Sequence, residues 1–254
     1  MMSTRKRRIR ALLKGIETGD PAAVAVVNEA RYVQHNPQTH EGSEGLAVLF
    51  QRLAKTSPRV EIARLFEDGD YVFAHTRYDF ANSNIGFEVF RFEDNFAVEH
   101  WDNIQRRQRP NLSGHTMIDG STEITDLEKT ESNREIVRVF VETVVVNRDT
   151  DRLDDYIDDK HFVEHNPRLG DGLSSLRAML SDASVDGATL RYDRTHRFLA
   201  EGNFVLSVSE GSLKGVHSSF YDLFRLAGER IVEHWDTTEV IPPRSEWKNN
   251  NGKF

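Results

Sequence analysis

Two short strings in this 254-residue chain are suited to proton chemistry. Glu99-His100-Trp101-Asp102 recurs as Glu233-His234-Trp235-Asp236, and His35-Asn36-Pro37 recurs as His165-Asn166-Pro167. On a strand, successive side chains alternate faces. Val98, His100, Asp102 and Ile104 therefore share one face, with Glu99, Trp101, Asn103 and Gln105 on the other. In the second copy Val232, His234, Asp236 and Thr238 share a face. A histidine and a carboxylate among apolar neighbours is the pattern of a pocket wall with a few placed polar groups. Burial there raises the pKa of an Asp, and a neighbouring imidazole can hold or share its proton, which gives a base poised near neutral pH. Abstraction of a proton next to a carbonyl needs such a base, together with a donor for the enolate oxygen. The donors to hand are His35, Asn36 and Gln34 in the first half and His165 and Asn166 in the second. The same residues also fit a plainer role, with His and Asp bonded to each other or to nearby backbone and His-Asn-Pro forming a local turn.

Further candidates lie on neighbouring strands. Glu88 alternates with Phe90 and Phe92, and Asp222 with Phe224 and Leu226, so each is a carboxylate on an otherwise apolar face. Each is either a second pocket acid or an arginine partner across the sheet. Arg91 and Arg225, on the opposite face, read as surface or interface ion pairs. The halves differ at His75, where the second has Val208, and at His217, which precedes Asp222. Both histidines are counted as pocket-lining, so the pockets should differ in polarity. Trp101 and Trp235 fall on the outer face, where large aromatics favour a buried contact. The simplest packing is sheet to sheet between the halves as an internal pseudo-dimer, with a homodimer as the competing arrangement.

The elements that must position these groups follow from the repeat, whose copies lie about 130 residues apart, far longer than a solenoid unit. The match continues between the anchors: Leu65 to Val72 answers Phe198 to Val205, and Glu88-Val89-Phe90-Arg91 answers Asp222-Leu223-Phe224-Arg225. A first domain spans residues 1–108, a linker 109–131 is marked by Arg109-Pro110-Asn111, Ser113-Gly114 and Asp119-Gly120-Ser121, and a second domain spans 132–254. The Ser132-Asn133-Arg134-Glu135 string reads as a capping box, predicting that a helix starts at Asn133. In the first half, helices are predicted over about 5–18, from Asp20-Pro21, and over about 44–55; in the second, over about 133–147, from near Asp151, and over about 173–180. Strands are predicted over 60–66, 71–78, 85–92 and 97–105, with counterparts in the second half. Helices first and hairpin-linked strands after give an α+β class with a mostly antiparallel sheet.

Three helices, a curved sheet, Tyr32-Val33-Gln34-His35-Asn36-Pro37 after the second helix and Val98-Glu99-His100-Trp101-Asp102 on the last strand together resemble the SnoaL-like polyketide cyclase family of the nuclear transport factor 2-like superfamily, in two tandem copies. The resemblance implies two cone-shaped α+β barrels, each with a deep apolar pocket closed by its helices, and frequent dimerisation through the outer sheet face. It does not fix an activity, because members include aldol-type cyclases, isomerases, dehydratases, epoxide hydrolases and non-catalytic binding or assembly domains. The reading it favours is a lyase or isomerase with Asp102 and Asp236 as acid/base groups, assisted by His100 and His234, acting on a small apolar molecule without a cofactor. The alternative is a ligand-binding or assembly module of the same fold.

Composition narrows the rest. A formal charge of -8 and the single short basic run Arg5-Lys6-Arg7-Arg8 argue against a nucleic-acid partner. Cysteine is absent, which removes disulfides, thiolate metal sites and a cysteine nucleophile. Ala11-Leu12-Leu13 is followed at once by Lys14 and Gly15, so no signal-peptide core develops, and no stretch approaches a membrane span. A cytoplasmic location is the default. None of the ten histidines falls in a zincin-type run, and no glycine-rich or Walker-type nucleotide loop occurs, so neither a metal nor a nucleotide cofactor is expected.

Overall fold

The computed structural model describes residues 2–80, 82–181 and 189–254. By contacts the chain forms two compact units, one of Met1–Arg107 together with Ile241–Phe254 and one of Gln108–Val240. The C-terminal fourteen residues thus belong with the first unit, and the segment after Arg107 with the second.

In the first unit α1 (Thr4–Thr18) starts at Ser3, whose hydroxyl accepts the Lys6 N–H, and buries Ile9, Leu12, Leu13 and Ile16 at helical spacing. A 3-10 turn (Pro21–Val26) follows, capped by the Asp20 side chain; then come β1 (Val33–Gln34) and α2 (Gly42–Ala54). Four long strands complete the unit: β2 (Arg59–Asp68), β3 (Tyr71–Asp79), β4 (Ser83–Glu93) and β5 (Phe96–Arg106). They form a sheet of order β1-β5-β4-β3-β2. β1 pairs parallel to β5, with Gln34 opposite His100, and the other pairs are antiparallel. α1, α2 and the concave face of the sheet share one apolar core that includes Leu12, Phe50, Val72, Tyr78 and Phe90.

The second unit repeats this order. It has α3 (Thr130–Phe140), α4 (Leu153–Tyr156), β6 (Val163–Glu164), α5 (Leu173–Leu180), β7 (Leu190–Glu201), β8 (Phe204–Leu213), β9 (Val216–Ala227) and β10 (Arg230–Val240). The sheet order is β6-β10-β9-β8-β7, with β6 parallel to β10. The chain is therefore two tandem α+β domains with strongly matched topology.

The first helix of this unit departs from the capping-box expectation. It starts at Thr130, because a 3-10 turn over Leu127–Lys129 runs straight into it. Ser132 lies inside the helix with its hydroxyl donating to the Lys129 carbonyl, and Glu135 pairs with Arg138. The start is pinned instead by Thr130, whose Oγ1 accepts the Gly202 N–H, and by Asn133, which donates to the Gly202 carbonyl. Only glycine fits at 202, since a Cβ there would stand 2.0 Å from the Thr125 carbonyl oxygen and φ is +59°. Beyond Phe140 the helix widens into a π-helical turn over Val141–Val146.

Candidate active site

The register of β4 against β5 sets the first site. Glu88 stands directly opposite Asp102 and Phe90 opposite His100, while β1 lays Gln34 against His100. Two carboxylates directly opposite one another on a sheet repel, so this pairing persists only where other groups hold them. Those groups are present. His100 Nδ1 donates to Gln34 Oε1 at 3.0 Å, and that oxygen also accepts the Asn36 N–H at 2.8 Å. An amide oxygen only accepts, so Nδ1 carries a proton and Nε2 faces Glu88 Oε2 at 2.7 Å. Tyr78 donates to the other Glu88 oxygen at 2.6 Å. Asp102 Oδ2 accepts from Asn36 Nδ2 at 2.6 Å, and Lys253 Nζ approaches Oδ1 at 3.3 Å. Glu88, His100, Asp102 and Lys253 are all at least 94% buried.

Gln34, Asn36, Tyr78, Glu88, His100 and Asp102 form one wall of a cavity of about 180 Å³. Leu12, Leu13 and Ile16 from α1 and Leu46, Leu49, Phe50 and Leu53 from α2 close it, with exposed Arg52 at its edge. That space suits a ring-sized apolar group. Burial pushes the Glu88 carboxyl above its ordinary range, and the nearby Asp102 charge adds to the rise against the opposing pull of His100. Burial also drives the Tyr78 hydroxyl well above its usual value, with the Glu88 charge adding to it, so it remains a donor. One ligating atom each from Glu88, His100 and Asp102 lies within 4.8 Å of the others, close enough to hold an ion, although hydrogen bonds already occupy them.

The second site has the same frame and different chemistry. Asp222 stands opposite Asp236 and Phe224 opposite His234. Glu164 replaces Gln34, and its carboxylate lies 2.9 Å from His234 Nδ1, with Asp222 Oδ1 3.3 Å from Nε2. Burial alone would depress the His234 pKa, yet the Glu164 and Asp222 carboxylates hold it well above the ordinary histidine value. The phenol comes from another strand. Tyr192 on β7 reaches Asp222 at 3.0 Å, and its strand neighbour is Gly211, where a Cβ would stand 2.0 Å from the Arg191 carbonyl oxygen. Asn166 Nδ2 bonds Asp236 Oδ2 at 2.7 Å, while Asp236 Oδ1 is buried with no hydrogen-bond partner among the described residues. Burial and the Asp222 and Glu164 charges, against the pull of His234, raise Asp236 to about 6. The space here is only about 20 Å³, lined by Phe140, Leu176, Met179, Leu180 and Phe224 among others. It holds no more than a single water.

The remaining predicted residues turn away from the cavities. The strand pairing places Ala74 opposite Glu88, so His75 falls on the outer face, stacked on Phe87 with Nδ1 3.1 Å from Arg64. His217 is exposed beside Glu210 on the face of β9 opposite Asp222. His35 and His165 also point outward, because only alternate residues of β1 and β6 face in. Each stacks on the tryptophan of its own unit, at 4.6 Å for Trp101 and 4.7 Å for Trp235. His35, His75 and His100 therefore do not converge on a common point. The recurrent glutamates complete the outer set, with Glu99 between His35 and Arg91 and Glu233 between His165 and Arg225. For Glu233, burial would raise the pKa, but the His165 and Arg225 bonds hold it below the ordinary range. Sequence reasoning missed Tyr78, Tyr192, Glu164 and Lys253; only the identity of position 164 against Gln34 was visible as a signal.

Residues 9–100 match the SnoaL-like domain family. No curated protein matches the chain significantly. Among solved structures the chain is similar to TsrD from Streptomyces laurentii, at 20% identity and a TM-score of 0.37 over 41% of this chain and 92% of that one. It is likewise similar to an LEH-like epoxide hydrolase from M. tuberculosis, at 19% identity and a TM-score of 0.35 over 40% and 83% of the two chains. An NTF2-like protein of unknown function from Cytophaga hutchinsonii is 18% identical, with a TM-score of 0.35 over 41% and 92%. No helix among the described residues is long and apolar enough to cross a membrane. Residues 9–100 of the first unit are thus similar to a SnoaL-like domain, and the second unit repeats the sheet order of the first.

Proposed function

We propose that the first unit is a cofactor-independent acid/base enzyme acting on a small apolar carbonyl compound, and that the second unit is a non-catalytic companion. The reading rests on one observation: Glu88, His100 and Asp102 meet on the wall of an apolar cavity that has room for a ligand. Asp102, bonded by Asn36 and faced by the Lys253 ammonium, is placed to remove a proton from the carbon next to the carbonyl. The proton shared between His100 Nε2 and Glu88 is available to the carbonyl oxygen as charge develops there. Return of the proton to a different carbon gives isomerisation, attack of the enol carbon on a second carbonyl gives aldol-type cyclisation, and loss of a β-hydroxyl gives dehydration. A cavity of about 20 Å³ in the second unit, too small for a ligand, supports an assembly role there.

Exchange of α-hydrogens for deuterium tests this without knowledge of the natural substrate. A panel of single-ring ketones and β-keto esters in D2O should exchange faster with the wild-type chain than with buffer, and Asp102→Asn should remove at least a hundredfold of that rate. Ligand affinity should survive the substitution. If the panel binds and Asp102→Asn exchanges as fast as wild type, the first unit is a binding module and the acid/base assignment fails.

A further inference from the structure

We propose that the second unit carries a zinc-type divalent metal site, made by His115, Asp119 and His165 on the side of the sheet opposite His234 and Asp236. One ligating atom from each residue lies within 4.8 Å of the other two. His165 is fully buried, and its Nδ1 stands 2.8 Å from both Asp119 Oδ1 and the Thr116 carbonyl oxygen. Its Nε2 is taken by Glu233 at 3.0 Å, and Glu233 is anchored in turn by Arg225 at 2.6 Å. His115 has the same arrangement, with Nε2 3.2 Å from Asp171 Oδ2. Both imidazoles therefore have a carboxylate on Nε2. That is how carboxylates orient histidines that bind a metal, fixing the tautomer and raising the basicity of the ligating nitrogen.

The first unit supplies an internal comparison. His35 occupies the place of His165, with the same stack on tryptophan, Nε2 on Glu99 at 2.9 Å and Nδ1 on the Gly252 carbonyl at 3.0 Å. The segment that covers it, residues 241–254, contains neither His nor Asp. The segment that covers His165 brings both, with Asp119 on Nδ1 at 2.8 Å and the His115 ring centroid 5.4 Å from that of His165. An outward histidine capped by a backbone carbonyl is thus the common frame, and two ligating side chains are added in only one copy. Two imidazoles, one carboxylate and a nearby backbone carbonyl form a borderline donor set that suits tetrahedral zinc better than magnesium or calcium. The ion would take the place of the proton on His165 Nδ1, so binding releases protons and weakens at low pH. It would clamp the segment after Arg107 onto β6 and is independent of the chemistry proposed for the first unit.

The test uses the full chain without an affinity tag, stripped with a chelator and titrated with Zn2+ by calorimetry and with Co2+ by visible absorption. One ion per chain is expected, with the intense bands of low-coordinate Co2+ and a rise in Tm on Zn2+ addition. His115→Ala and Asp119→Ala, both at partly exposed positions, should each weaken binding at least tenfold while the metal-free Tm stays near wild type. His35→Gln should leave the Zn2+ affinity unchanged. No binding at 100-fold molar excess of Zn2+, or unchanged affinity in His115→Ala, overturns the proposal. Loss of binding in His100→Gln with retention in His115→Ala also overturns it, by placing the ion on the Glu88, His100 and Asp102 wall.

Discussion

The carboxylate of Glu164 stands 2.9 Å from Nδ1 of His234, where the first unit sets the amide oxygen of Gln34 3.0 Å from Nδ1 of His100. One atom in the side chain, oxygen for nitrogen, separates a neutral acceptor from a charged one. In the second unit the imidazole lies between two buried carboxylates and keeps its proton; in the first it faces one carboxylate and one amide. Proton relay needs a group that both gains and gives up a proton, and a histidine held charged by Glu164 and Asp222 gives it up poorly.

Removing the Glu164 charge should release His234. In wild type its ring C–H resonances should show imidazolium shifts well above the ordinary histidine range, and Glu164→Gln should bring the midpoint down by more than one pH unit. Because the folded value is raised, the pair's contribution to stability is complete below about pH 6.5 and fades as pH climbs through the folded value. The mutant should lose that pH-dependent part of its Tm. Placing Glu at position 34 should do the reverse chemistry and slow α-proton exchange at least tenfold. An unchanged His234 midpoint in Glu164→Gln sinks this account.

Lys253 sits 151 residues from Asp102 in sequence yet is 4% exposed beside it. Lys253→Met should leave a buried carboxylate facing no cation, costing on the order of 3 kcal/mol. Asp102→Asn combined with Lys253→Met should recover most of that loss, since the pair is then removed together. Urea unfolding of the two single variants and the double variant of the full chain measures the coupling. Additive single-variant effects would show that the two groups do not interact.

The parts of this site that were legible in the sequence are those set by local rules. Strand alternation put His100 with Asp102 and Trp101 on the other face, and the repeat located both copies. Register and tertiary reach were not local. His75 reads as lining from the sequence, because nothing there says that Ala74, one residue earlier, is the neighbour of Glu88. Tyr78 and Tyr192 serve equivalent carboxylates from different strands, so aligning the repeats hides one behind the other. The helix at Thr130 started early because Gly202, on a distant hairpin, supplies its cap partner. The size of each cavity depends on how α2 and α5 pack, which composition leaves open.

The difference in cavity size predicts one apolar ligand per chain. A small environment-sensitive apolar dye should bind with a stoichiometry of one, and Leu49→Trp, which fills the first cavity, should abolish the signal. Met179→Ala removes a side chain from the lining of the second and should open a second, weaker site at a cost of about 2–5 kcal/mol in stability. Two equivalent sites in wild type, seen by equilibrium dialysis, would contradict the closed second cone.

Asp236 offers a prediction whose sign runs opposite to the usual carboxylate. Its value is raised to about 6 by burial and by Asp222 and Glu164, so the folded state binds the proton more tightly than the unfolded chain, whose Asp titrates near 3.9. Between those two values the native protein carries more protons, and stability falls as pH rises from about 4 to about 6. At pH 7.5 the buried charge then costs about 3 kcal/mol, at about 1.4 kcal/mol per pKa unit. Asp236→Asn keeps the shape and the carbonyl oxygen that Asn166 donates to, and it removes the charge. The variant should be more stable than wild type at pH 7.5 by about 2–3 kcal/mol and equal to it near pH 4. Chemical unfolding of both proteins across that range reads the difference. A variant less stable than wild type at pH 7.5 would mean that the Asp236 carboxylate is favourably paired in solution and that its proton affinity is not raised.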